Sequence, residues 1–164
     1  ALPRAVRPEL RWAANDRNPE YQARVEQLAR DLGVVLSIVL SGSDSELVEL
    51  LARARVMLFL PRLEPFGLAP LEANACGTAV VGVAEGGLRE TILDGVNGFL
   101  VESSDPAAVA SALTPFLESA KLAARLGASA RRHVEQAWGW EPSIDALERH
   151  LIDVATRHRR PPEE

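Results

Sequence analysis

Cysteine is almost missing from this chain. Among 164 residues Cys76 stands alone, so no intrachain disulfide can form. Set among small residues in a helical stretch, it reads as a packed small hydrophobe rather than a nucleophile. Its isolation fits a reducing, cytoplasmic location. No apolar run approaches the ~20 residues that span a bilayer, and the first residues carry no signal-peptide pattern. Positive charge is not in excess: 18 Lys and Arg face 23 Asp and Glu, a net charge of −5. That balance argues against nucleic acid as a partner. His133, His150 and His158 have no mutual metal-ligand spacing, so they read as structural or surface residues and no metal site is expected. Internal repeats and low-complexity linkers are absent too.

What is present is ordinary in bulk and specific in one place. A hydrophobic share of 47% and a charged share of 25% describe a globular protein of one domain's length. Along the chain, strand and helix alternate. Leu10 to Ala14 suits a short strand, followed by a turn through Asn15 to Asn18. Pro19 opens a helix to Leu32, where Tyr21, Val25, Leu28, Ala29 and Leu32 recur at helical spacing before Gly33 stops it. Val34 to Leu40 is apolar and β-branched, as a buried parallel strand requires. Ser43 or Asp44 caps the next helix, through Leu47, Leu50 and Leu51 to Ala54. Val56 to Leu60, Thr78 to Val83 and Phe99 to Val101 supply further strands, with a short helix over Leu88 to Leu93. Asp105 caps a helix from Pro106 to Leu117, and two more run about Leu122 to Gln136 and Pro142 to Arg157. The alternation predicts an α/β fold, a parallel sheet with helices on both faces and right-handed crossovers.

The specific stretch is EPFGLAPLE, residues 64 to 72, where two carboxylates flank seven residues. It lies where the strand Val56 to Leu60 hands over to a helix, and open α/β sheets bind ligands at the carboxyl ends of their strands. Pro65 fixes one φ angle, Gly67 permits a positive φ or close backbone approach, and Pro70 suits a first helical turn. The N–H groups of Phe66, Gly67, Leu68 and Ala69 therefore sit at a helix N-terminus, a site for phosphate oxygens. Glu64 and Glu72 can both reach that mouth and accept hydrogen bonds from sugar hydroxyls. The plain alternative is that Glu72 only complements the helix dipole and Glu64 is a solvated loop charge.

The run EPFGLAPLEANACGTAVVGVAEGGLRETILDGVNGFLV, residues 64 to 101, resembles the nucleotide-sugar-binding core of the retaining glycosyltransferases of the GT-B fold. The two-glutamate motif, the A-C-G before the next strand, the G-G-x-x-E and the D-G-x-N-G-F-L-V match in order and spacing. Trp138-Gly139-Trp140 resembles the family's aromatic element before a last helix. By this resemblance Glu64 is the catalytic-site residue, holding the transferred sugar at the reacting face. Phe66, Gly67 and Leu68 offer amides to sugar and diphosphate, Glu72 binds the ribose hydroxyls, and the Ser41-Gly42 loop approaches the base. The family transfers a sugar with retention, assisted by the leaving diphosphate, usually without a metal. No cofactor is implied beyond the nucleotide-diphosphate sugar, which is the substrate.

Two departures qualify the match. Arg62 stands where the family often has a small hydroxyl residue. Nothing before Glu9 matches the family's first strand, with its Gly-Arg, or the following helix, with its Lys. The expectation is a C-terminal donor-binding domain that lacks its first strand and helix and the N-terminal acceptor domain, and is inactive alone. Two other readings compete: a non-catalytic nucleotide- or partner-binding module of the same fold, and a related epimerase or phosphorylase. Trp138 and Trp140 read as packing anchors rather than a sugar-stacking platform.

Overall fold

The computed structural model describes residues 2–3, 7–40 and 42–158. Its strands are β1 (Leu10–Ala14), β2 (Leu36–Leu40), β3 (Met57–Phe59), β4 (Val80–Val83) and β5 (Gly98–Val101). The helices are α1 (Pro19–Leu32), α2 (Asp44–Arg53), α3 (Leu68–Ala75), α4 (Leu88–Thr91), α5 (Pro106–Glu118), α6 (Ala120–Ala137) and α7 (Trp140–His158). Elements alternate, and every strand pairing is parallel.

Local chemistry sets the boundaries. Asn18 caps α1 by accepting from Tyr21 N–H at 2.9 Å. Ser43 and Glu46 form a reciprocal capping box at α2, which satisfies two donors that helix geometry leaves unpaired. Asp105 Oδ2 accepts from Ala107 N–H at 2.9 Å at the start of α5. Gly33 ends α1 in the left-handed region, at φ 66°, and Val34 N–H then reaches back to Ala29 O at 2.8 Å. That closing motif draws Val34 into the helix end, so β2 begins at Leu36 rather than at Val34. The same device ends α3, with Thr78 N–H on Ala73 O at 2.9 Å, and β4 accordingly starts at Val80.

The expected single sheet is two ladders: β1 pairs with β2, and β3, β4 and β5 form a second sheet in that order. Leu10 pairs with Leu36, Met57 with Val80, and Val80 with Gly98. No ladder hydrogen bond among the described residues joins the two sheets.

The second sheet carries the core. β4 lies at its centre and all four of its residues are buried. Because successive strand side chains point to opposite faces, Val81 packs with Val109, Leu113, Phe116 and Leu126 of α5 and α6. Val80 faces the other way, against Leu51, Ala73, Leu88 and Ile92. Helices therefore cover both faces, as a parallel sheet needs. Three buried polar side chains stitch strand ends to this core. Asn74 Nδ2 donates to Thr78 O at 3.0 Å and Asn97 O at 3.3 Å. Asn97 Nδ2 donates to Thr91 O at 2.9 Å, and Thr78 Oγ1 to Leu51 O at 2.6 Å. Among the described residues no helix is long and apolar enough to cross a membrane.

Candidate functional site

The loop from Pro61 to Gly67 leaves the carboxyl end of β3 and enters α3; a second, Ala84 to Gly87, leaves the carboxyl end of β4 and enters α4. The two are locked together. Gly87 N–H donates to Glu64 O at 3.0 Å, and Glu85 Oε1 accepts from Leu63 N–H at 3.1 Å. Their backbones touch: a Cβ placed on Gly87 would lie 2.4 Å from Phe66 O. Leu63 is held at φ 57° while 81% of it is exposed to solvent. A leucine in the left-handed region with no packing to repay it is backbone strain, of a kind that concentrates at functional loops.

Gly67 caps α3 at φ 98°, a conformation that a side chain resists. Space forbids one as well, since a Cβ there would sit 2.7 Å from Thr91 Oγ1. Gly67 has no side chain to satisfy the helix N-terminus. Glu64 supplies the acceptor: its Oε1 takes Gly67 N–H at 2.9 Å and Phe66 N–H at 3.3 Å. The amides of Phe66 and Gly67 thus turn to Glu64 instead of opening to a ligand. Among the described residues no hydrogen bond is formed at Glu64 Oε2, nor from Leu68 or Ala69 N–H to a residue outside the helix.

Glu72 is exposed on α3. It is the fifth residue of the helix, beyond the first turn, which weakens the reading of Glu72 as a dipole charge. It shares a face with Leu68 and Cys76, each four residues away. Its charge acts on Cys76, whose thiol is pushed up from its usual value by burial first; Arg131 opposes that shift and Glu72 adds to it. Among the described residues no hydrogen bond joins the Glu64 and Glu72 side chains to each other or to a common residue.

Gly42 directly precedes the capping box of α2. A Cβ at Gly42 would meet Glu46 and Val39 at 3.5 Å, ordinary contact distance, so neither packing nor backbone demands a glycine there. Ser41 lies outside the described residues. No group of three or more His, Cys, Asp or Glu among the described residues has a metal-binding arrangement.

Sequence reasoning missed three participants, Glu85, Thr91 and Gly87, and read Trp138 as a packing anchor without naming its partner. The first three sit in or beside the G-G-x-x-E segment, which signalled the family but not this contact. Trp138 meets Phe66 edge-to-face, with ring centroids 5.5 Å apart and planes at 86°.

The fold agrees with what comparison finds. The family model of the glycosyl transferases group 1 matches residues 4–133. The chain belongs to that family. A D-inositol 3-phosphate glycosyltransferase from Geodermatophilus obscurus is 45% identical over 132 residues, covering 78% of this chain and 28% of that protein. An N-acetyl-alpha-D-glucosaminyl L-malate synthase from Bacillus anthracis is 33% identical over 136 residues, covering 83% of this chain and 35% of that protein. Among solved structures, a sucrose-phosphate synthase from Thermosynechococcus elongatus superposes with a TM-score of 0.76 at 28% identity, covering 89% of this chain and 39% of that one. The Anabaena protein HepE, solved in complex with UDP-glucose, shares the fold at a TM-score of 0.74 and 20% identity, covering 94% of this chain and 43% of that one. This chain therefore spans about a third of the length of the curated relatives it matches.

Proposed function

We propose that the chain is the donor-binding portion of a retaining glycosyltransferase that moves a sugar from a nucleotide-diphosphate sugar to an acceptor. One observation carries the proposal. Two loops at the carboxyl ends of adjacent parallel strands are bolted together, and they present Glu64 and the start of α3 at one mouth. The solved HepE complex contains UDP-glucose, which supports a donor of that class.

The residues then divide the work. Glu64 Oε1 is anchored on the Phe66 and Gly67 amides, which aims Oε2 outward to accept from a sugar hydroxyl. The Leu68 and Ala69 amides, with the positive end of α3 behind them, face the diphosphate. This assignment shifts the phosphate contact expected of Phe66 and Gly67 two residues along, into the helix. Glu72, further along α3, takes the ribose hydroxyls. Gly42 lets the base approach the backbone beyond β2. In the transfer itself the bond from the anomeric carbon to the diphosphate oxygen breaks. A bond to the acceptor oxygen forms on the same face, and the acceptor's proton passes to the departing diphosphate. The protein's part is electrostatic: fixed amide dipoles meet the charge that develops on the leaving group.

The acceptor contacts and the cations that grip the diphosphate come from polypeptide beyond these residues, so the chain alone is inactive and binds nucleotide weakly. A second reading, a non-catalytic module, draws on the engagement of Glu64 as a helix cap. A transfer assay on the full-length gene product, with the anomeric configuration of the product read by NMR, separates them. Turnover with retention is expected. Nucleotide binding without turnover favours the module, and inversion refutes the mechanism.

A further inference from the structure

Trp138 stands outside both loops of the site, at the junction of α6 and α7, yet its ring is the partner of Phe66. The indole is itself fixed. Its backbone N–H closes the last turn of α6 on Val134 O at 2.9 Å, and its Nε1–H donates to His133 Nε2 at 3.3 Å. His133 is the acceptor, which assigns its own proton to Nδ1.

α6 reaches Phe66 because it is splinted along α3. Arg131 Nη1 donates to Ala75 O at 2.6 Å, and a Cβ on Gly127 would lie 2.0 Å from Gly77 O. Residues 127 and 131 thus meet the C-terminal end of α3, while Trp138 meets the residue before its N-terminal cap. The two helices run antiparallel, and the indole sits at the end of the splint nearest the mouth.

Phe66 needs this support. It is 43% exposed, follows an exposed proline and precedes a glycine. Gly67 is boxed by Thr91 and Leu88 and the Phe66 backbone lies against Gly87, which leaves the Phe66 ring as the part of the loop that Trp138 holds. We infer that Trp138 is a positioning residue: by holding the Phe66 ring it fixes the peptide units whose N–H groups anchor Glu64 Oε1. Glu64 in turn aims its other oxygen. The consequence for donor binding rests on the proposed function; the mechanical part does not.

Amide hydrogen exchange measured by NMR on the 164-residue chain tests this. Trp138→Ala is expected to accelerate exchange at Phe66 and Gly67 by about 3- to 10-fold, the equivalent of one aromatic pair. Exchange at Val80 to Val83 in β4 stays unchanged. Trp138→Phe keeps a ring and restores most of the protection, and His133→Ala, which frees the indole N–H, gives an intermediate result. Unchanged exchange at Phe66 and Gly67 in Trp138→Ala overturns the inference. So does an equal acceleration in β4, which marks general loss of packing. UDP added to the full-length gene product reports separately: absent shifts at Leu68 and Ala69 count against the donor reading, whereas exchange decides the positioning role without ligand.

Discussion

Glu64 Oε1 accepts a hydrogen bond from Gly67 N–H at 2.9 Å, so the first glutamate of the motif caps the helix that carries the second. A carboxylate at a helix N-terminus satisfies orphan donors and meets the dipole. The pairing ties a stability role and a binding role to one side chain, and the two can be pulled apart.

Glu64→Gln keeps an amide oxygen that can still accept from Gly67 and Phe66 but removes the charge. The transfer rate of the full-length protein is expected to fall at least about 100-fold, in the range seen when one positioned electrostatic group is lost. The melting temperature stays close to wild type. Glu64→Ala loses the cap as well and costs about 1 kcal/mol in denaturant unfolding. Equal activity in wild type and Glu64→Gln would remove Glu64 from the reaction.

Gly87→Ala tests whether the two loops work as one unit. The new methyl would meet Phe66 O at 2.4 Å, and backbone cannot yield as a flexible side chain does. About 1–3 kcal/mol of stability is expected to be lost, together with nucleotide binding. Thermal melts and a UDP titration on the same samples check both. A stable variant with intact binding would show that the β4–α4 loop is not part of the site.

Gly42→Ala is the converse case. The methyl meets only ordinary contacts at 3.5 Å, so stability is expected to hold within about 0.5 kcal/mol, as for most uncrowded surface changes. Nucleotide affinity should fall if the base lies against this backbone. Unchanged affinity removes Gly42 from the site.

The α2 capping box predicts a pH effect of defined sign. Hydrogen bonds from the Ser43 backbone N–H and then its side chain hold the Glu46 carboxyl below its usual range. Its folded-state value is lowered, so its contribution is complete above the unfolded value and is lost as pH falls through the folded one. A carbon-detected NMR titration should find Glu46 low in wild type and shifted upward in Ser43→Ala. An identical titration in both proteins would show that the box is not formed in solution.

Much of this architecture was legible because it is local. Ser43 and Asp105 cap helices in the structure as expected, since a cap needs only residues within a turn; Asn18, read as the end of a turn, is also a cap. Strand starts were read too early at Val34 and Thr78 because apolar character cannot show that these residues finish the preceding helix. The division of the sheet into two ladders was not legible, because the alternation of strand and helix fixes neither strand order nor which edges pair. The site was half legible. EPFGLAPLE located the loop, but the engagement of Phe66 and Gly67 by Glu64 depends on a rotamer that spacing does not encode. Glu85, Thr91 and Trp138 reach the loop across 22, 24 and 72 residues of sequence, counting from Leu63, Gly67 and Phe66. Such contacts are made by packing, and no periodicity announces them.

Calorimetric titration of the full-length gene product with UDP, GDP and ADP, repeated on Glu72→Ala, bears most directly on the central claim. One diphosphate should bind saturably to wild type, and Glu72→Ala should weaken it about 10-fold or more, as expected for a lost hydrogen bond to a charged group. Binding of none of the three, or equal affinity in the two proteins, would contradict the claim that α3 and its glutamates hold a nucleotide-linked sugar.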